Sequence, residues 1–395
     1  MNYISFGELL KEPLRNGLTK PKAIRGSGVK MIGMKEIFAN SRIQNIDMDR
    51  VPVNEKELNN CRILEKDLLF ARQSLVLEGA GKCSIVCDIK ENTVFESHLI
   101  RVRVDEEKAN PLFLYYYFNS YSGKENIRTI VEQVAAAGIR GSDLIKLQVP
   151  YPSLEEQNKI VKILEALDKK IELNNKINDN LENFIKNLFK DTFYNNKSNF
   201  SYKKISLGDL MDYQGGSQPP SSEFINYKRN GYIRFIQIRD YDSNSHITYI
   251  PISSKNKICN EKDIMIARYG AALGKICCGL NGAYNVALAK VIPRKSFYRE
   301  FLRNYLSSKE FYIGINNKGE RSAQSGFNKS DIKSFELLFP KDEKIVIKFE
   351  KIASNCFELY LKNLKQNRTL ENIRNKLLPY LISGKIDISD IELRH

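Results

Sequence analysis

The chain repeats itself once, and that repeat limits its fold more than any other feature of its 395 residues. Ile4-Ser5-Phe6-Gly7-Glu8-Leu9 recurs as Ile205-Ser206-Leu207-Gly208-Asp209-Leu210. Glu65-Lys66-Asp67-Leu68-Leu69-Phe70-Ala71-Arg72 recurs as Glu261-Lys262-Asp263-Ile264-Met265-Ile266-Ala267-Arg268. Gly81-Lys82 matches Gly274-Lys275, Ser142-Asp143-Leu144 matches Ser330-Asp331-Ile332, and Pro152 matches Pro340. A single period of roughly 190–200 residues is too long for a solenoid and describes a duplicated domain.

Each copy ends in a long polar stretch. Residues 152–193 contain no Gly and no Pro after Pro152. Ser153 with Glu156 three residues on is a capping box. Val161, Leu164, Ile171, Leu181, Ile185 and Leu188 recur mostly at steps of three and four, which is one apolar face of a helix. Such a helix is about 60 Å long at 1.5 Å per residue. Residues 341–381 repeat the pattern, broken only by Pro379, with a seam of Ile345, Phe349, Ile352, Cys356, Leu359, Asn363, Gln366, Leu370, Ile373 and Leu377. Both seams turn polar near the middle, at Asn175 and Asn178 in one and Asn363 and Gln366 in the other. A polar residue in a seam costs stability and sets register. The two helices are therefore expected to pack antiparallel with these amides facing each other.

The division that follows is 1–152, a first globular domain; 153–193, a central helix; 194–340, a second domain; and 341–395, a C-terminal helix. Strand-like runs in the first domain are 30–35, 67–71, 83–88 and 99–104, and in the second 233–239, 263–268, 275–278 and 287–292. Helix-like runs are 111–119 and 125–133, then 298–307 and 310–315. The expected fold class is α+β: two repeated α/β domains of mainly antiparallel strands, separated by two long antiparallel helices as a coiled-coil spacer, with pseudo-two-fold symmetry.

Charge is uneven along the chain. The net charge of +15 is concentrated in residues 194–340, which hold 22 Lys/Arg against 12 Asp/Glu, while 153–193 hold 7 against 8. A basic globular segment is an electrostatic footprint for nucleic acid. Two copies of a basic module fit a target with two half-sites at fixed separation. No apolar run is long enough to span a membrane. Seven scattered cysteines and a start without a basic-then-apolar leader fit a reducing, cytoplasmic setting.

The order domain, helix, domain, helix resembles the DNA-specificity subunit of type I restriction–modification systems. The most specific likeness is at the domain-to-helix junctions. Ser142-Asp143-Leu144 followed by Val149-Pro150-Tyr151-Pro152-Ser153-Leu154-Glu155-Glu156-Gln157 is similar to the family's hallmark. The second copy, Ser330-Asp331-Ile332 then Leu338-Phe339-Pro340-Lys341-Asp342-Glu343-Lys344, departs from it with Lys344 in place of Gln and a single proline. The C-terminal Leu377-Leu378-Pro379-Tyr380-Leu381-Ile382-Ser383-Gly384-Lys385-Ile386 is also similar to the family's ending. The resemblance implies two target-recognition domains, each reading one part of a bipartite double-stranded DNA sequence. It implies helices that set the unread spacer and dock two methyltransferase (M) subunits, with restriction (R) subunits joining that core. S-adenosylmethionine, ATP and Mg would belong to those partners, with no cofactor in this chain.

No catalytic constellation holds up in the residues themselves. An amino-methyltransferase needs Asn/Asp-Pro-Pro-aromatic, and Gln218-Pro219-Pro220-Ser221 has both ends wrong. A phosphate loop needs Gly-x4-Gly-Lys-Ser/Thr. Gly270-Ala271-Ala272-Leu273-Gly274-Lys275-Ile276 is one residue short and lacks the hydroxyl, and Gly79-Ala80-Gly81-Lys82 fails likewise. The three histidines show no metal-ligand spacing. The expectation is a non-catalytic subunit. Its rivals are a specificity protein of a methylating system without a nuclease, a fused methyltransferase, and a coiled-coil scaffold that reads no DNA.

Phosphates call for Lys and Arg, and base edges for Arg, Asn and Gln. The candidates in the first domain are Lys20, Lys22, Arg25, Arg72, Gln73 and Arg140. In the second they are Lys228, Arg229, Arg234, Arg239, Arg268 and Tyr269, with Arg321 and Gln324 in the polar loop 318–326.

Overall fold

The structure, a computed structural model, describes residues 2–133, 137–195, 201–243, 246–319, 326–386 and 388. The chain divides into two compact units, Met1–Lys170 with Thr369–His395, and Ile171–Arg368. The long helices thus count with the units: the central helix Leu154–Lys190 and the C-terminal helix Lys344–Ile382 each contribute one part to either.

Each unit is closed by its own ends, and the repeated motifs do the closing. The strand Tyr3–Ser5 pairs antiparallel with Gln148–Pro150, which leads into the central helix. Tyr202–Ser206 pairs in the same sense with Glu336–Pro340, which leads into the C-terminal helix. Ser5 Oγ donates to the Ile145 carbonyl at 2.8 Å, and Ser206 Oγ donates to the Lys333 carbonyl at 2.6 Å. The repeated serine is a latch, which accounts for a polar residue inside an otherwise apolar motif.

The Glu-Lys-Asp motif enters the middle strand of a sheet in both units. Leu68–Ala71 lies between Leu99–Val102 and Cys83–Val86, and Met265–Ala267 lies between Leu288–Pro293 and Ile276–Cys277, all antiparallel. Side chains alternate across a strand. Leu68 and Phe70 therefore join one core cluster while Leu69 and Ala71 join another. A second sheet in each unit contains a parallel pair, Val29–Ile32 with Thr93–Phe95 and Tyr232–Ile236 with Gly282–Tyr284.

The expected strands 83–88 and 99–104 end early, at Val86 and Val102. The expected helix 125–133 ends at Arg128, with Glu132–Gln133 a strand. Two further expected strands run too long, for one shared reason. The run 30–35 ends at Ile32 and a helix, Met34–Ala39, follows. The run 233–239 ends at Ile236, and Ile238–Tyr241 is a 3-10 turn. Glu36 accepts from the Gly33 N–H at 2.9 Å and Asp240 from the Gln237 N–H at 2.7 Å. A carboxylate three residues ahead caps a helical turn and ends the strand.

The central helix opens with the expected box: Ser153 N–H and Oγ both donate to Glu156 Oε2 at 2.8 Å, and Glu156 N–H donates back to Ser153 Oγ. Gln157 explains the Glu-Gln start. Its side chain is fully buried, accepts from the Asn110 N–H at 2.8 Å and donates to the Pro152 carbonyl at 3.0 Å. It ties the helix to the start of Pro111–Asn119. The second junction is wired differently, with Glu343 accepting from Lys295 Nζ and from the Tyr298 hydroxyl, each at 2.6 Å.

Within the second unit the two helices run antiparallel, and the amides meet. Asn363 donates to Asn178 at 2.9 Å, Asn367 to Asn175 at 2.8 Å, and Asn174 to Gln366 at 2.9 Å. The C-terminal helix continues through Pro379 rather than breaking there. Its seam keeps Phe349 and Asn363, as expected, with Ile345 and Cys356 partly buried, but elsewhere shifts by one residue. Val346, Phe349, Ala353 and Phe357 are buried, whereas Ile352 and Leu359 are each 44% exposed. The small Ala353 is fully buried, and a reading by apolar bulk favours Ile352 instead.

These amides give a measurable expectation. Asn363→Leu strands the buried Asn178 carbonyl oxygen and costs about 1–3 kcal/mol. The double change Asn178→Leu/Asn363→Leu recovers most of it, because an apolar pair leaves no polar group unpaired. Urea unfolding of the two variants checks this; equal losses in both would show that the amide pair is not coupled.

Candidate nucleic-acid interface

Arg72 and Arg268, the repeated arginines, sit at the same strand end in the two units. The Arg72 N–H donates to the His98 carbonyl and the Arg268 N–H to the Ala287 carbonyl, both at 2.8 Å. Neither side chain forms an ion pair with another described residue. An arginine held by its backbone and left without a carboxylate keeps its guanidinium N–H groups for a ligand, although the Arg268 Nε is itself buried.

In the first unit three candidates come together. The short strand Gln73–Ser74 pairs with Ala137–Gly138, and the Ile139 N–H donates to the Arg72 carbonyl at 2.9 Å. This brings Arg140 beside Arg72. Both line an open groove of about 690 Å³ together with Lys11 and Asn16. Arg140 is exposed and pairs with Glu132 at 2.6 Å. Gln73 meets His98 Nδ1 at 3.0 Å.

The other three lie outside this groove. Lys20 is bound to Glu57 at 2.8 Å, and Arg25 to Asp49 at 2.8 Å. The Lys20 ammonium, with the Asn54 N–H, holds the Glu57 carboxyl below its usual range. Lys22 is exposed in the turn Lys22–Ile24.

In the second unit the Arg268 guanidinium is walled by rings, at 5.0 Å from Tyr269, 5.7 Å from Tyr213 and 5.9 Å from Phe327. Tyr269 is bridged to Gly326. Lys329 pairs with Asp212 at 2.9 Å beside the same Tyr213 ring, and its ammonium lowers the Asp212 carboxyl. Lys228 and Arg229 are exposed before the strand Tyr232–Ile236, with Arg229 over Tyr232 at 5.5 Å. Arg234 is half-buried in that strand, and Arg239 is exposed in the turn that follows. Arg321 and Gln324 lie outside the described residues.

Sequence reasoning missed Lys11 and Asn16 in the first groove, and Tyr213 and Lys329 beside Arg268. A signal was available. Lys11 and Tyr213 each follow the repeated Ile4–Leu9 or Ile205–Leu210 motif within a few residues. The arrangement in both units is a half-buried arginine at a strand end with aromatic or amide neighbours, suited to phosphates and base edges.

The family model for the type I restriction modification DNA specificity domain matches residues 6–183 and again 200–371. The type I restriction enzyme MjaIX specificity subunit of Methanocaldococcus jannaschii is 25% identical over 403 residues, 94% of this chain and 90% of that one. The EcoKI specificity subunit of Escherichia coli is 30% identical over 166 residues, 42% of this chain and 35% of that one. The crystal structure of a type I restriction–modification S subunit from M. genitalium has a similar fold, with a TM-score of 0.62 at 14% identity, covering 96% of this chain and 95% of that one.

Proposed function

Because this chain belongs to the type I restriction–modification DNA specificity family, as a subunit that recognises a DNA target, we propose that each of its two units reads one short block of a two-part duplex. The observation that carries the reading is the duplicated edge: Arg72 and Arg268, fixed by equivalent backbone bonds and, among the described residues, without a carboxylate partner. The stretch between the blocks goes unread, its length set by the paired helices. The chain itself carries out no chemistry. Methylation and cleavage belong to two M subunits and to R subunits, which hold S-adenosylmethionine, ATP and Mg, in the cytoplasm. Ile347, Ile352 and Leu359, exposed on the C-terminal helix, support the docking of a protein partner there. No helix among the described residues is long and apolar enough to cross a membrane.

Methylome sequencing of cells that express the chain with its methyltransferase tests the reading. A single motif of two short blocks around a fixed gap is expected; one continuous block, or none, contradicts it. A finer expectation concerns the two arginines. Arg72→Ala and Arg268→Ala each lower the slope of log K against log salt by about 1 where the arginine meets a phosphate, or relax one block where it meets a base. Salt titrations of duplex binding read this directly, and wild-type slope and specificity in both variants would remove the arginines from the interface.

A further inference from the structure

The two units share one frame around the repeated arginine and differ at its tip. Gly81 N–H donates to the Ala71 carbonyl at 2.7 Å, and Gly274 N–H donates to the Ala267 carbonyl at 2.9 Å. These bonds close the same loop in both. Between Arg268 and Gly274 stand Tyr269-Gly270-Ala271-Ala272-Leu273; between Arg72 and Gly81 stand Gln73-Ser74-Leu75-Val76-Leu77-Glu78-Gly79-Ala80. The first unit's loop is longer, and its additional length is aliphatic.

That aliphatic tip is turned outward. Leu75 is 99% exposed and Val76 58%. Leu77 and Phe38 are also exposed. Contiguous exposed apolar residues, unlike scattered ones, mark an interaction site. The tip is also pre-ordered. Val76 N–H donates to Ser74 Oγ at 3.1 Å, Gly79 N–H donates to the Val76 carbonyl at 3.1 Å, and Leu77–Gly79 is a 3-10 turn. A tip held in place loses little entropy when it binds.

Its neighbours select the occupant. The tip continues directly from Arg72 and Gln73, beside the groove lined by Arg72 and Arg140, and Lys82 lies over the Phe38 ring at 5.1 Å. An aliphatic tip with Arg72 before it and Lys82 after it, and with Glu78 as its one acid, fits a groove of duplex DNA, where phosphates meet the cations and the thymine C5-methyl meets the aliphatic groups. A reading module copied twice must differ where its two sequences differ, and this tip is such a place.

We propose that Leu75 and Val76 read a T·A pair in the block recognised by the first unit, through apolar contact with the thymine methyl group. The inference rests on the DNA-reading function above and goes beyond it to one base pair and one pair of side chains. The test uses the assembled complex and duplexes carrying its methylome-defined target, with each thymine of that block replaced in turn by deoxyuridine.

For the wild type, one such replacement is expected to weaken binding about fourfold, the worth of one buried methyl group. The variant Leu75→Ser/Val76→Ser is expected to bind the thymine duplex about tenfold more weakly, to ignore that replacement, and to keep the wild-type salt slope and melting temperature. The proposal is overturned if no deoxyuridine duplex separates wild type from variant, or if the block holds no T·A pair. It is also overturned if the variant loses assembly with its protein partners while its DNA affinity is unchanged. In these cases salt-dependent binding by the wild type leaves the DNA-reading function standing, whereas a wild type that fails to bind the duplex overturns both.

Discussion

Asp168→Ala is expected to destabilise the first unit by about 3–5 kcal/mol, the cost of breaking a buried ion pair by removing one partner. Asp168 lies on the central helix and is 4% exposed. It accepts from Arg374 of the C-terminal helix at 2.5 Å and from the Tyr116 hydroxyl at 2.7 Å, and Arg42 lies at 3.7 Å. One carboxylate therefore joins both long helices to the domain they serve. Removal leaves the Arg374 guanidinium half-buried without its carboxylate and the Tyr116 hydroxyl without an acceptor. Asp168→Asn keeps an acceptor but not the charge, and is expected to lose less. Denaturant unfolding checks both. A loss below about 1 kcal/mol in Asp168→Ala, the level of an exposed pair, would show that the joint carries no stability.

How much of this was legible beforehand depends on the range over which each feature is decided. The Ser153–Glu156 cap and the facing amides rest on local periodicity, and they stand where the sequence places them, whereas the repeat marks Ser5 and Ser206 without showing that they latch each unit shut. Strands end before Gly33 and Gln237, short of where apolar patterning carries them, because such patterning does not show a carboxylate reaching back over three residues. The seam of the C-terminal helix was displaced because packing admits Ala353 and leaves Ile352 exposed. Residue type singles out Arg72, Gln73, Arg140, Arg268 and Tyr269 as candidates for the interface. It could not separate them from Lys20 and Arg25, whose carboxylates, Glu57 and Asp49, lie far off in sequence. Charge compensation of that kind is a tertiary property.

The proposed role of the paired helices is one of length. If the helices set the unread gap, shortening both by one heptad must shorten the gap. Removing 171–177 and 364–370 together suits the purpose. Asn174 and Asn175 leave with Gln366 and Asn367, and the Asn178–Asn363 pair remains. Seven residues preserve the phase of the apolar seam. They remove about 10 Å of helix at 1.5 Å per residue, which is close to three base pairs at 3.4 Å each. The deciding measurement is selection of the bound or methylated motif by the assembled complex from duplexes with every gap length. The account predicts the same two blocks with the preferred gap shorter by about three base pairs. The same two blocks at an unaltered gap would contradict it.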